Sequence, residues 1–93
     1  MTDVTLKFTG NIYKRMGTFG MGFSFEGANL RDLLNDLLAR YNLRDLLMDD
    51  RGQIRPYARV LVNGRFSEVL QGLDTPIQNG DTVTLIHPYA VAF

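Results

Sequence analysis

The chain has 93 residues, enough for one domain with one core but not for a core plus a deep internal active site. Aliphatic and aromatic residues make up 45% of it, which excludes disorder, and ten Lys plus Arg against ten Asp plus Glu leave a formal net charge of zero, without the basic excess that marks a nucleic-acid binder. It contains no cysteine, which excludes thiolate zinc sites and favours a reducing compartment. The start, Met1-Thr2-Asp3-Val4, has no basic-then-apolar signal pattern, and no apolar run approaches the ~20 residues of a membrane span. The chain therefore reads as a cytoplasmic protein without membrane or nucleic-acid partners.

Val4, Leu6 and Phe8 alternate with Thr5, Lys7 and Thr9, the period of a half-buried strand, and Gly10-Asn11 breaks it. A second alternation follows, with Phe19, Met21, Phe23 and Phe25 on one side and Gly20, Gly22 and Ser24 on the other. This predicts a hairpin whose second strand is 19–26, with a long connection over 10–18. Asn29 is a good N-cap, with Asp32 three residues on. Leu30, Leu33, Leu34, Leu37, Leu38 and Tyr41 then keep helical spacing, while Arg31, Asp32, Asn35, Asp36 and Arg40 fill the other face, so a helix is predicted over about 29–41.

Residues 43–48 suggest a short helical turn, and Asp49-Asp50-Arg51-Gly52 a turn. A strand is predicted over 57–63, with Ala58, Val60 and Val62 on one face, ended by the Asn63-Gly64 turn signal. Residues 65–81 read as irregular. Thr82 to Ile86 is the last strand, with Val83 and Leu85 inward, and Pro88 ends it. Hairpin, helix, strand, irregular segment and strand give an α+β fold: one amphipathic helix packed across a mixed sheet of four or five strands, the ubiquitin-like β-grasp arrangement. The whole chain, 1–93, forms one domain, with 87–93 as a C-terminal tail.

The second half goes beyond fold class. Leu46-Leu47, Asp49-Asp50, Gly52, Arg55-Pro56-Tyr57 and Val60-Leu61-Val62-Asn63-Gly64 occur in order. Gly72-Leu73-Asp74-Thr75-Pro76-Ile77, Asn79-Gly80-Asp81-Thr82-Val83-Thr84-Leu85-Ile86 and Pro88 follow. In order and spacing this series resembles the molybdopterin-synthase small subunit and thiamine sulfur-carrier (MoaD/ThiS) family. The pieces are themselves architectural: Asn63-Gly64 permits positive φ, Asp81 can accept from turn amides, and Ile77 is placed to drop into the core.

The resemblance implies a function in the tail. Carriers of this family end in a flexible Gly-Gly whose carboxylate is adenylated, converted to a thiocarboxylate and threaded into a second enzyme. Glycine suits a narrow channel because it has no Cβ. Here the tail reads His87-Pro88-Tyr89-Ala90-Val91-Ala92-Phe93, so Ala92 and Phe93 stand at the diglycine positions. The expectation is a protein without thiocarboxylate chemistry, the scaffold kept and the competent end replaced.

Other chemistry finds little support. His87, the single histidine, reads as a strand-end surface residue, with a pH-sensitive partner contact as the alternative. No motif places Ser24 or Ser67 near it for a triad. Asp49 and Asp50 read as a solvated turn. Gly17-Thr18-Phe19-Gly20-Met21-Gly22 leads into a strand rather than opening a helix, so it is not a phosphate loop. Tyr13-Lys14-Arg15 forms a small basic patch. No enzyme activity, metal or cofactor is expected.

The outer sheet face is more informative. If Val60, Val62, Val83 and Leu85 face the helix, Leu61 and Ile86 must face away on neighbouring strands, with Arg59, Thr82 and Thr84 around them. The expected partner-binding residues are Leu61, Ile86, Tyr89, Val91, Ala92 and Phe93, with Phe93 as an anchor. What they would bind is a larger protein, which the resemblance identifies as an activating enzyme, a synthase large subunit or a molybdenum or tungsten cofactor enzyme. The alternative is a sulfur carrier with a divergent tail. An edge strand and an apolar tail also leave pairing with a second copy open.

Overall fold

The structure is a computed structural model that describes residues 1–88. Strand β1 (Thr2–Phe8) is followed by helix α1 (Gly10–Met16), β2 (Gly20–Phe25), helix α2 (Leu30–Arg40), the short α3 (Arg44–Leu47), β3 (Arg59–Val62), β4 (Arg65–Phe66), two 3₁₀ turns and β5 (Thr82–Ile86). The sheet runs β2-β1-β5-β3-β4. Its central pair, β1 and β5, is parallel, and every other pair is antiparallel. This is a mixed five-stranded sheet with α2 across one face, the β-grasp arrangement read from the sequence.

Helix α2 begins where Asn29 Oδ1 accepts from the Asp32 N–H at 2.9 Å, and Asp32 Oδ2 accepts in turn from the Ala28 N–H at 3.0 Å. Together they satisfy two amides at the helix entry. Leu30, Leu33, Leu34 and Leu37 are fully buried on its inner face, packed in one cluster with Leu6, Phe8, Phe25, Val60, Val83 and Leu85. Each such side chain contributes roughly 1.5–3 kcal/mol by leaving water, so the helix is held by its apolar face more than by propensity. On the solvent side Arg40 pairs with Asp36 one turn back and lies 4.7 Å over the Phe23 ring.

Two stretches carry more structure than the sequence suggested. The connection at 10–18 contains α1, two turns that bury Ile12 completely and rest Tyr13 and Met16 against the core. Its C-cap is Gly17 (φ +74°), whose N–H donates to Tyr13 O at 2.9 Å. A seven-residue helix is too short for its periodicity to show in sequence. Residues 65–81 hold β4 and turns at Ser67–Val69 and Gly72–Asp74. Here Thr75 O accepts from the Leu30 N–H, and the Ile77 N–H donates to Ala28 O, both at 2.9 Å, so the segment braces the start of α2 and buries Ile77.

Candidate partner-binding surface

Alternation along β3 and β5 puts Val60, Val62, Val83 and Leu85 in the core. Leu61, Thr84 and Ile86, half-buried, point to the other face. The strands are neighbours, with Leu61 opposite Thr84 and Arg59 opposite Ile86. The row through Leu61 continues to Lys7 on one side and Phe66 on the other. The face thus carries an apolar centre of Leu61, Ile86 and Phe66, flanked by Lys7 and Arg59.

Phe66, 44% exposed, was not among the residues singled out from sequence. The signal was present in Asn63-Gly64. A two-residue turn pairs Val62 with Arg65 and therefore Leu61 with Phe66, which sets the phenylalanine on the outer face. Asn63 adopts φ +52° and Gly64 φ +83°, as that turn requires. Asn63 also ties the turn to β5, donating through Nδ2 to Asp81 Oδ1 at 3.0 Å and accepting the Thr82 N–H at 2.9 Å. Arg59 is aimed by its own neighbourhood, donating to Pro56 O at 2.6 Å and Ala58 O at 3.1 Å, with Glu68 4.0 Å away.

His87 differs from the sequence reading. It is 7% exposed rather than a surface residue. Its ring meets Tyr57 edge-on at 5.2 Å between centroids. Nδ1 lies 3.1 Å from Asn11 Nδ2 and 3.0 Å from Pro88 O. The helix α1, unseen in the sequence, is what covers it. Tyr89, Val91, Ala92 and Phe93 lie outside the described residues.

The remaining candidates are architectural. Asp49 Oδ1 accepts from the backbone N–H groups of Arg51 (2.8 Å) and Gln53 (3.0 Å). The bond from Gln53, then that from Arg51, holds the carboxyl below its ordinary value despite some desolvation, so it stays ionised as a turn former. In the basic patch, Arg15 donates to Asp45 at 2.5 Å and to Asn42 O at 3.0 Å, joining α1 to α3. Among the described residues no three His, Cys, Asp or Glu side chains are grouped to hold a metal. No described helix is long and apolar enough to cross a membrane.

The fold and the residue series converge on one family. The ThiS family model matches residues 23–90. The chain belongs to the ThiS family. Small archaeal modifier protein 3 of Haloferax volcanii is 36% identical over 66 residues, 70% of this chain and 71% of that protein. The solution structure of Urm1 from Trypanosoma brucei superposes with a TM-score of 0.80 at 30% identity, covering 98% of this chain and 96% of that one. A chain of the Amycolatopsis orientalis BexX/CysO complex shares the fold, with a TM-score of 0.76 at 20% identity over 96% of this chain and 99% of that one. Val60 to Gly64 and Asn79 to Ile86, the stretches that carried the resemblance, fall inside the ThiS match and build β3, its turn and β5.

Proposed function

We propose that this ThiS-family protein acts in the cytoplasm as a non-catalytic binding module, docking a larger protein through the outer sheet face and the tail. The observation that carries this reading is the outer face itself: Leu61, Ile86 and Phe66 leave the core and sit together between two cations. A matching surface would be apolar with an acidic rim, and a buried aromatic or aliphatic anchor can supply most of the energy of a small interface. The tail adds Tyr89, Val91 and Phe93, with Ala92-Phe93 where carriers of the family have glycines. A family-type activating enzyme, a synthase large subunit or a molybdenum or tungsten cofactor enzyme would fit such a role.

The test is a calorimetric titration against the family-type activating enzyme from the same genome. The wild-type chain binds, Leu61→Asp and Ile86→Asp each weaken binding at least tenfold, and removal of residues 89–93 weakens it as well. Undiminished binding by both aspartate variants would remove the outer face from the account. Family membership favours a second reading, a sulfur carrier with a divergent tail. Intact-mass spectrometry after incubation with that enzyme, ATP and a sulfur donor separates the two. A sulfur-for-oxygen mass gain on the chain supports the carrier, and an unchanged mass supports the binding module.

A further inference from the structure

The ladder between β1 and β5 does not end with the strands. The Thr9 N–H donates to Leu85 O at 3.1 Å, and the Asn11 N–H, in the first turn of α1, donates to His87 O at 3.0 Å. The Asn11 side chain goes one residue further: Nδ2 donates to Pro88 O at 2.8 Å and lies 3.1 Å from His87 Nδ1. Gly10 makes this approach possible. It sits at φ +61°, and a Cβ there would fall 1.5 Å from His87 O. On the other side Tyr57 closes over the imidazole. Two consecutive carbonyls at the tail's root, those of His87 and Pro88, are thus both held by one residue of a different element.

We propose that Gly10 and Asn11 form a clasp that sets the point and direction from which the tail leaves the domain, making Asn11 a positioning residue for tail recognition. A strand end followed by proline has no ladder partner of its own and would otherwise fray. With the clasp closed, the backbone is fixed as far as the Pro88 carbonyl, two residues beyond the end of β5. A partner that contacts face and tail together meets the tail at a fixed origin, which lowers the ordering cost of binding.

This rests on the binding-module reading, and its test keeps the two separable. Asn11→Ala is made in the full chain and in the chain lacking 89–93, with Asn11→Ser as a second removal of the amide. ¹⁵N relaxation of the free protein should show His87 as ordered as β5 in the wild type and more mobile in both variants. Titrated against the same activating enzyme, Asn11→Ala should weaken binding about tenfold, the weight of one to two hydrogen bonds, in the full chain and not at all in the truncated one. Equal loss in both chains would mean that Asn11 acts through general structure, and would overturn the clasp as a positioning device. So would an unchanged His87 order. If truncation itself leaves affinity untouched, it is the tail half of the proposed function that fails.

Discussion

Gly10→Ala offers the sharpest structural test, because its neighbour Gly17 supplies an internal control. Gly10 opens α1 and Gly17 caps its C-terminus, and both lie in the left-handed region, at φ +61° and +74°. An alanine at either position carries the left-handed strain of roughly 1–2 kcal/mol. At Gly17 nothing lies within 4 Å of the added methyl, so strain is the whole cost. At Gly10 the methyl would overlap His87 O at 1.5 Å, and the next atom, the His87 carbonyl carbon, is at 2.7 Å. Both are backbone, so neither can swing aside, and α1 must separate from the root of the tail. That separation loses the bond from the Asn11 N–H and uncovers part of His87, adding roughly 0.5–1.5 kcal/mol for each bond broken. Gly10→Ala should therefore cost about 2–4 kcal/mol and Gly17→Ala about 1–2 kcal/mol. For a domain of this size the difference is a Tm gap of roughly 4–15 °C. Urea unfolding followed by circular dichroism measures both, with an unchanged slope expected for each variant. Equal destabilisation by the two substitutions would refute the close packing of α1 on the tail root.

Other consequences are open to simple measurement. Leu34→Ala removes a side chain that is 1% exposed beneath the sheet and should cost about 3–5 kcal/mol in chemical denaturation. Asn29→Ala deletes the N-cap of α2 and should cost about 1 kcal/mol in the same assay, with little change in the titration against a partner. The hydrogen bond from Arg15, opposed by some desolvation and aided by the charge of Arg15, holds Asp45 below its ordinary value of 3.8. A carboxyl lowered on folding adds stability that is present above that value and lost as pH falls through the folded one. Because Asp45 is 60% exposed, screening limits the pair to roughly 0.2–1 kcal/mol. Arg15→Ala should therefore be mildly destabilising at neutral pH, and its gap from wild type should narrow in strong acid to what the bond to Asn42 O contributes.

The parts of the fold legible in the sequence are those whose patterns run long enough to repeat. Leu30 to Leu38 keeps helical spacing over more than two turns, and Val4 to Phe8 and Thr82 to Ile86 alternate cleanly, so α2, β1 and β5 follow from periodicity alone. The outward pair Leu61 and Ile86 follows from the same alternation, and the registers of β3 and β5 place them together. Helix α1 was not legible. Ile12 and Met16 are a single i, i+4 pair with a left-handed glycine at each end, and the helix is held by burial of Ile12 and by Arg15 reaching Asp45, thirty residues away. Missing α1 concealed the burial of His87, since only that helix brings Asn11 over it. Phe66 is hidden for a different reason: β4 has only two residues, too few to alternate, so only the register of the Asn63-Gly64 turn sets Phe66 opposite Leu61.

Methyl chemical-shift mapping of the complex with the family-type activating enzyme tests the central claim most directly. The account predicts that the Leu61 and Ile86 methyls shift or broaden on binding, while those of Leu34 and Leu37, beneath the opposite face, do not. Perturbation confined to the Leu38 methyls on the outer side of α2, with Leu61 and Ile86 unmoved, would contradict it.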